Sequence, residues 1–347
     1  MSEADLKKVK KEISSNKKVK IAINGFGRIG RMIMRIAYHN PNVEIVAIND
    51  LSDIKSCAYY LKHDSAHGTF DAPVSYEGDK LIVGDKKIKV LQERFVNNLP
   101  WKELDVDVVC ECTGMFTKVA DARVHLKQGA KKMLLSAPAK GDCFYFVRGV
   151  NDSEYDNQDI VSNGSCTTNS MAAVVNEINK KFGIKKGMFA TIHSVTGDQR
   201  ILDTPHSNLR RGRAAPFNIV PTTTGAANAV IKLIPELEGK LHGIAYRVPT
   251  IDGSVTDINL ELGKDVTKDE INAFLKKLCS NKLNGVVEYS EEELVSTDII
   301  GNPHSGIVDG LCTEVTGGNM LKLVVWYDNE WGFSNRMVEV MKAISKN

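Results

Sequence analysis

The chain has no apolar run long enough to cross a bilayer, and it carries little excess charge of either sign. Lysine and arginine together nearly balance aspartate and glutamate, leaving a formal net charge of +2. This balance gives no general electrostatic attraction to nucleic acid or to an acidic membrane. We therefore expect neither nucleic acid nor a membrane among the partners.

The cysteines lack the pattern of a disulfide framework. There are seven of them, an odd number, and no pair is separated by two residues. Cys110 and Cys112 do not have the spacing of metal ligands, so we expect no metal site. Unpaired thiols favour a reducing compartment, and we expect a cytoplasmic protein. Residues 1–17 are rich in lysine and are predicted to form an N-terminal extension outside the main fold.

A dinucleotide-binding unit is predicted near the start of the chain. Residues 18–24 have the composition of a strand, and residues 25–30 (GFGRIG) follow at once. Residues 31–39 have helical composition, and residues 43–50 predict a second strand that ends in Asp50. Strand, glycine turn, helix, strand and terminal acid in this order indicate a βαβ unit that binds a dinucleotide.

Each part of this unit has a physical task. Gly25 permits the tight turn, Gly27 lets the backbone approach a pyrophosphate, and Gly30 lets helix and strand pack closely. Asp50 can accept hydrogen bonds from an adenosine ribose and would repel a 2′-phosphate, so NAD is favoured over NADP. Residues 107–114 and 132–138 predict two further strands, and an open α/β sheet binds its ligand at the carboxyl ends of such strands.

A candidate nucleophile follows this unit. Apolar residues at three- and four-residue spacing over residues 171–182 predict a helix that ends at Gly183, with Asn163 or Ser165 as its N-cap. Cys166 then lies in or beside the first turn, where free backbone N–H groups and the helix dipole favour a thiolate.

A candidate base comes from the next element. Residues 187–192 form an apolar run that predicts a buried strand, and His193 stands at its end. An isolated cysteine and histidine are more often structural residues than a catalytic pair. Here the predicted dinucleotide unit favours catalysis, with Cys166 as nucleophile and His193 as base.

Groups suited to phosphate lie further along. Four arginines occur between His193 and residue 213, and residues 221–227 (PTTTGAA) lead from small hydroxyl residues into an alanine-rich helix. Arg247 is predicted to stand just before a strand. Guanidinium and hydroxyl groups in this number suit two phosphate oxyanions. With a cysteine nucleophile and a nicotinamide cofactor, they indicate oxidation of an aldehyde through a thioester.

These motifs together resemble the phosphorylating glyceraldehyde-3-phosphate dehydrogenases, from about Val19 to the C-terminus. The matching stretches include INGFGRIGR, SNGSCTTN, TGDQRILD, PTTTGAA and WYDNEWGFSNRM. The resemblance implies an α/β protein with a Rossmann-type dinucleotide-binding domain and an α+β catalytic domain whose sheet is mostly antiparallel. The first would span residues 18–165 and be completed by a C-terminal helix, 330–347; the second would span residues 166–329.

The resemblance also implies a role for each matching residue. Cys166 and His193 would be catalytic, and Thr196 and Arg247 would hold the phosphate of the substrate. The attacking inorganic phosphate would lie near Ser165, Thr167, Thr224, Gly225 and Arg211. The residues implied in binding NAD are Gly25, Gly27, Arg28, Ile29, Gly30, Asp50, Thr113, Ser136 and Asn329. Members of the family are homotetramers, which implies the same assembly here.

The implied glycolytic reaction converts glyceraldehyde 3-phosphate, phosphate and NAD into 1,3-bisphosphoglycerate and NADH. Two other interpretations remain: an erythrose-4-phosphate dehydrogenase, and a dehydrogenase scaffold with mainly a binding role. Residues 221–227 and the Thr196/Arg247 pair favour the triose phosphate. Joint presence of Cys166, His193, Asn329 and Arg247 favours an enzyme over a binding scaffold.

Overall fold

The computed structural model describes residues 18–345 and contains two large sheets. The predicted N-terminal extension, residues 1–17, lies outside the described residues, as do residues 346 and 347. The dinucleotide unit belongs to the first sheet and the strand that carries His193 belongs to the second.

Among residues 18–345, the first sheet has nine strands: β1 Val19–Asn24, β2 Val43–Asn49, β5 Val74–Glu77, β6 Lys80–Val83, β7 Lys86–Leu91, β8 Val108–Glu111, β9 Lys132–Leu135, β10 Phe144–Tyr145 and β11 Ile160–Ser162. Their order in the sheet is β10-β11-β9-β8-β1-β2-β7-β6-β5. Between β2 and β5 in the chain, β3 (His63–Asp64) and β4 (Gly68–Thr69) form a small hairpin of their own.

Seven of these strands, from β10 to β7, run parallel, and the antiparallel pairs are confined to β5, β6 and β7. The strand order reverses at β1, which has β2 on one side and β8 on the other, so a crevice opens at their carboxyl ends. The associated helices are α1 Arg28–Tyr38, α2 Ile54–Lys62, α3 Val119–Ala122 and α4 Val124–Lys127, with 3₁₀ turns at Val96–Asn98 and Asp152–Glu154.

In the described part of the chain, the second sheet has eight strands: β12 Ile184–Ser194, β13 Val220–Thr222, β14 Leu241–Val248, β15 Ser254–Leu262, β16 Val287–Ser290, β17 Gly306–Asp309, β18 Glu314–Thr316 and β19 Met320–Tyr327. Seven of them lie in the order β13-β14-β12-β15-β19-β17-β16, and β18 pairs with β19. Its helices are α5 Cys166–Phe182, α6 Ala226–Leu233 and α7 Lys268–Ser280, with 3₁₀ turns at Ala215–Phe217, Pro235–Leu237 and Ser296–Ile299.

Only the β12/β14 and β16/β17 pairs of this sheet are parallel, within the described residues. The predicted fold class, a Rossmann-type sheet joined to a mostly antiparallel α+β unit, is therefore confirmed.

The helix that begins at Cys166 lies in the middle of the core beside the second sheet. Its residues Met171, Val174, Val175 and Ile178 are fully buried, and it ends at Gly183 as the spacing predicts. Burial on nearly all sides holds the first turn of α5 in a fixed position relative to the strands, which matters for the residue at its start.

The C-terminal helix, α8 (Trp331–Ile344), returns to the first sheet. Phe333, Met337 and Met341 enter the same apolar core as residues of β1 and α1. The chain therefore leaves β19 in the second sheet and packs its last helix on the first. The domain limits of 18–165 and 166–329 stay predictions. No helix among residues 18–345 is long and apolar enough to span a membrane.

Candidate active site

The first turn of α5 presents Cys166, and Ser165 is its N-cap. The Ser165 hydroxyl accepts the backbone N–H of Thr168 at 3.1 Å, which satisfies one of the free donors of the turn. Asn163, the other predicted cap, makes no side-chain hydrogen bond within residues 18–345. Cys166 thus begins the helix, as predicted.

His193 reaches the cysteine from a different element. It is the last residue but one of β12, and its Nε2 lies 3.4 Å from Cys166 Sγ. On the neighbouring parallel strand, β14, Arg247 stands in register with His193. The sheet register therefore brings the arginine beside the histidine.

The predicted position of Arg247 is wrong in one respect. It lies within β14, near the end of the strand, and not just before a strand. Gly243 weakens the strand pattern of this segment in the sequence. In the structure the Phe189 ring packs where a Cβ on Gly243 would stand, so glycine is needed inside the strand.

Hydrogen bonds around His193 indicate its tautomer. Nδ1 lies 2.8 Å from the Ser194 carbonyl oxygen and 3.0 Å from Nη1 of Arg247. A carbonyl oxygen can only accept, so it takes the Nδ1 proton; Arg247 donates instead to the same carbonyl at 3.2 Å and to Thr196 Oγ1 at 3.3 Å. The Nε2 lone pair then faces the cysteine, as a base requires.

Burial dominates the electrostatics of this pair. It lowers the pKa of His193, and the positive charge of Arg247 lowers it further. Burial also raises the pKa of the Cys166 thiol, while Arg247 acts in the opposite direction. The helix N-terminus that predicted a thiolate is thus opposed by burial. Because Sγ and Nε2 are in contact, the thiol proton can transfer to the imidazole. The thiolate–imidazolium pair that forms has no net charge.

A cavity of about 150 Å³ adjoins the pair. Eight of the predicted residues line it: Ser165, Cys166, Thr167, His193, Arg211, Thr224, Gly225 and Arg247. Thr196 lies outside this lining and joins it through its bond with Arg247. Residues predicted from five separate stretches of sequence therefore meet at one place.

The two arginines of the cavity differ in their partners. Arg211 donates to the Asp198 carboxylate at 2.7 Å and to the Thr222 hydroxyl at 3.0 Å. Arg247 has no carboxylate within salt-bridge distance among residues 18–345, and its Nη2 makes no hydrogen bond there. Its charge is therefore available to an anion.

Two predicted hydroxyl groups already have structural partners. Ser165 caps α5, and Thr167 Oγ1 lies 3.0 Å from the hydroxyl of Tyr327, which also bonds Thr191 at 2.7 Å. The Tyr327 ring meets His193 edge to face, with centroids 5.9 Å apart. The sequence predicts no role for Tyr327, because a tyrosine at the end of an apolar strand pattern does not indicate a functional residue.

The glycine turn fits the pyrophosphate of a dinucleotide. Gly25 has φ +95°, and a Cβ there would stand 2.6 Å from the Thr113 nitrogen. At Gly27 a Cβ would meet nothing within 4 Å among residues 18–345, so these residues leave the space above the turn open. Helix α1 starts here without a capping side chain and without an acid in its first turn. An anion can therefore reach the free N–H groups of Arg28 and Ile29.

The other predicted cofactor residues lie along the same edge of the first sheet. Asp50 follows β2 and accepts the N–H groups of Phe26 at 2.7 Å and Ser52 at 2.9 Å, which leaves each oxygen further acceptor capacity. Thr113 follows β8, and its backbone N–H donates to the Glu111 carboxylate at 2.8 Å. Ser136 follows β9, and its backbone N–H donates to the Glu111 carbonyl oxygen at 3.1 Å.

The side chain of Arg28 forms ion pairs with Asp64 and Glu330. They belong to a group of charged residues that we term the ion cluster: Arg28, Asp64, His67, Asp252, Asp328 and Glu330. His67 Nε2 lies 3.1 Å from Asp252 and 3.2 Å from Glu330. Burial opposes a charge on His67, but these hydrogen bonds prevail and raise its pKa to about 9. The sequence did not predict this cluster, because its members come from distant segments.

Asn329 lies between two members of the ion cluster in the chain and is 6% exposed. Its Oδ1 accepts a hydrogen bond from the Ser254 hydroxyl at 2.6 Å. Ser254 was not predicted, since a serine at a strand start has no distinctive pattern. It also bonds the backbone N–H of Ser194, the residue after His193.

Comparison with known proteins agrees with this geometry. Residues 19–119 match the family model described as glyceraldehyde 3-phosphate dehydrogenase, NAD binding domain, and residues 165–329 match the model of the C-terminal domain. The chain belongs to the glyceraldehyde-3-phosphate dehydrogenase family.

Curated members of this family match over nearly their full length. Glyceraldehyde-3-phosphate dehydrogenase 1 of Bacillus subtilis is 51% identical over 330 residues, covering 94% of this chain and 98% of the relative. The glyceraldehyde-3-phosphate dehydrogenase of Geobacillus stearothermophilus is 51% identical, with the same coverage. Glyceraldehyde-3-phosphate dehydrogenase 2 of Kluyveromyces marxianus is 46% identical, covering 95% of this chain and 100% of the relative.

Proposed function

We propose that this chain oxidises glyceraldehyde 3-phosphate with NAD and transfers the acyl group to inorganic phosphate. The observation that carries the proposal is the Cys166 Sγ to His193 Nε2 contact of 3.4 Å. Beside it lies Arg247, which has no carboxylate partner among residues 18–345. Family membership and the glycine turn support the same conclusion.

The substrate phosphate is assigned to Arg247 and Thr196. A phosphate oxygen can take the free Nη2 hydrogens of Arg247 and the hydroxyl of Thr196, which lies 3.3 Å from Nη1 of the same arginine. Because Arg247 stands in register with His193, a substrate held by its phosphate places its aldehyde near the catalytic pair.

The first chemical step forms a bond between Cys166 and the aldehyde carbon. His193 Nε2 takes the proton of Sγ while the sulfur attacks the carbonyl. The oxyanion that develops is stabilised by protonated His193 and by the backbone N–H of Cys166 at the start of α5. NAD, when bound, would supply the hydride acceptor. Loss of a hydride from the carbon bonded to sulfur, with the oxyanion becoming a carbonyl, leaves a thioester on Cys166. The residues that would hold it are Gly25, Gly27, Arg28, Ile29, Gly30, Asp50, Thr113, Ser136 and Asn329.

The second step transfers the acyl group. An oxygen of inorganic phosphate attacks the thioester carbon and the Cys166 thiolate leaves, recovering its proton from His193. We assign this phosphate to Thr224, Gly225, Arg211 and the first turn of α5. Since the hydroxyls of Ser165 and Thr167 have structural partners, the backbone N–H of Thr167 is the donor that we assign from this turn.

The assembly is proposed to be a homotetramer. Five large apolar side chains in residues 201–219 are 68% to 83% exposed, namely Ile201, Leu202, Leu209, Phe217 and Ile219. A surface of this kind favours contact with another protein surface. Light scattering of Leu209→Arg beside the unchanged protein tests this: we expect a smaller species, and an unchanged mass would contradict it. The proposed compartment is the cytoplasm, supported by the free cysteines.

The reaction is tested by following NADH formation with glyceraldehyde 3-phosphate and NAD, with and without phosphate or arsenate. We expect sustained turnover only with an acceptor, and a burst of one NADH per subunit without it. Equal turnover with and without an acceptor would contradict the proposal. So would a higher kcat/KM for erythrose 4-phosphate than for glyceraldehyde 3-phosphate. Folded protein that binds NAD but gives neither burst nor turnover would indicate the binding role instead.

A further inference from the structure

Ser254 joins the strand of the catalytic histidine to the asparagine assigned to the cofactor. It is the first residue of β15, is 0% exposed, and lies opposite Tyr327 in the pairing of β15 with β19. Its hydroxyl oxygen is 3.1 Å from the backbone nitrogen of Ser194 and 2.6 Å from Asn329 Oδ1. One hydroxyl group therefore contacts both parts of the site.

The position follows from the end of a β-ladder. The pairing of β12 with β15 runs to Ile192 and Val255, and Gly253, with φ +82°, then turns the chain away. The N–H of Ser194 is left without a backbone partner from β15. A buried N–H needs an acceptor, and the Ser254 side chain supplies it.

The direction of these hydrogen bonds is fixed. A backbone N–H can only donate, so Ser254 accepts from Ser194 and keeps its own proton to donate. That proton goes to Oδ1 of Asn329. The amide nitrogen of Asn329 has no partner within residues 18–345 and is not sealed from solvent. Asn329 therefore offers a donor, not an acceptor, to a bound ligand.

We propose that Ser254 is a positioning residue for the nicotinamide end of the cofactor. By holding Oδ1, it keeps the Asn329 NH₂ group directed at a carbonyl acceptor, which is what a carboxamide presents. The inference rests on the proposed role of Asn329 in binding NAD. It adds that the orientation of this amide is set by a residue of the sheet that also carries His193.

The test compares NAD with ADP-ribose, which lacks the nicotinamide ring. Dissociation constants of both are measured by calorimetry on Ser254→Ala, the unchanged protein and Thr256→Val. Thr256 is a matched control, since its hydroxyl is equally buried on the same strand and has no partner among the described residues. Thermal melting of each variant confirms that it is folded.

We expect Ser254→Ala to weaken NAD about two- to tenfold, the range for losing one neutral hydrogen bond. ADP-ribose affinity stays unchanged, because it does not reach Asn329, and Thr256→Val leaves both affinities unchanged. Equal weakening of NAD and ADP-ribose by Ser254→Ala would overturn the proposal, since it would show a general structural effect. Unchanged NAD affinity would overturn it too. Ser254→Cys, a weaker donor of similar size, gives the same test if the alanine variant does not fold.

Asn329→Ala separates failure of this proposal from failure of the role of Asn329. If Asn329→Ala leaves the ratio of NAD to ADP-ribose affinity unchanged, that role fails, and the proposal with it. If Asn329→Ala changes the ratio while Ser254→Ala does not, only the positioning proposal fails. In the Asn329→Ala background we expect Ser254→Ala to have no further effect on the ratio; an effect as large as in the unchanged protein would contradict the coupling.

Discussion

His193 and His67 occupy two protein environments that treat the same side chain in opposite ways. Both are nearly sealed from water, with 3% of His193 and 4% of the His67 side chain exposed. His193 contacts a thiol and lies beside Arg247, with no carboxylate at salt-bridge distance among the described residues. His67 lies between Asp252 and Glu330.

The difference shows that neighbours, more than burial, decide what a histidine does. Burial opposes an imidazolium at both positions. At His193 the nearest charge is positive and adds to this effect, so the ring stays available as a proton acceptor. At His67 the carboxylates of Asp252 and Glu330 outweigh the effect of burial and stabilise an imidazolium. This imidazolium links residues of distant segments. Proton transfer needs the first environment, and the second suits a structural ion pair.

The largest expected effect is at His193. His193→Asn should slow acylation about 10²–10⁴-fold, because asparagine cannot take the proton of Sγ. Stopped-flow measurement of NADH formation in a single turnover gives the rate. His39→Asn is the control, since His39 is exposed at the end of α1 and its ring pairs with Asp71, away from Cys166. An acylation rate equal to that of the control would refute the role of His193.

His67 should instead show its effect in stability and its pH dependence. Its folded pKa of about 9 lies above the ordinary value of 6.5, so its contribution is complete below pH 6.5 and is lost as pH rises to about 9. We expect the free energy of unfolding to fall by about 2–3 kcal/mol over this window. Urea unfolding at both limits should show a smaller fall in His67→Gln, which lacks the titrating group. The same fall in both proteins would mean that His67 does not hold its proton.

Arg247 supplies the positive charge beside His193 and has no carboxylate partner in the described part of the chain. Arg247→Met should lower kcat/KM for glyceraldehyde 3-phosphate about tenfold to a hundredfold, as expected for losing charge-assisted hydrogen bonds. Arg123→Met is the control, since Arg123 is exposed between α3 and α4 and does not line the cavity. If the two variants had similar kcat/KM, the assignment of the substrate phosphate to Arg247 would fail.

The smallest expected effect concerns the start of α5. Ser165→Ala should cost about 1 kcal/mol of stability through loss of the N-cap. Thr267→Ala removes the matching cap of α7, where Thr267 accepts the N–H of Glu270 and does not line the cavity. Urea unfolding should show similar losses, while only Ser165→Ala slows the burst, because Cys166 follows it. Equal burst rates would mean that the cap does not position the nucleophile.

Local patterns predicted much of this molecule, and long-range contacts explain the rest. The βαβ unit and α5 could be predicted because glycine spacing, apolar periodicity and caps lie within short stretches of chain. The strand that contains Arg247 was not predicted because Gly243 interrupts its pattern. The reason for this glycine is the Phe189 ring on the neighbouring strand, which the local sequence does not reveal. Ser254 and the ion cluster depend on strand register and on where α8 returns, which no local pattern contains.

Mass spectrometry of the protein mixed with glyceraldehyde 3-phosphate and NAD, without an acceptor, directly tests for a thioester at Cys166. We predict one acyl group per subunit, located on Cys166 by peptide mapping and removed when phosphate or arsenate is added. An adduct on another residue, or NADH formed with no adduct, would contradict a thioester mechanism at Cys166.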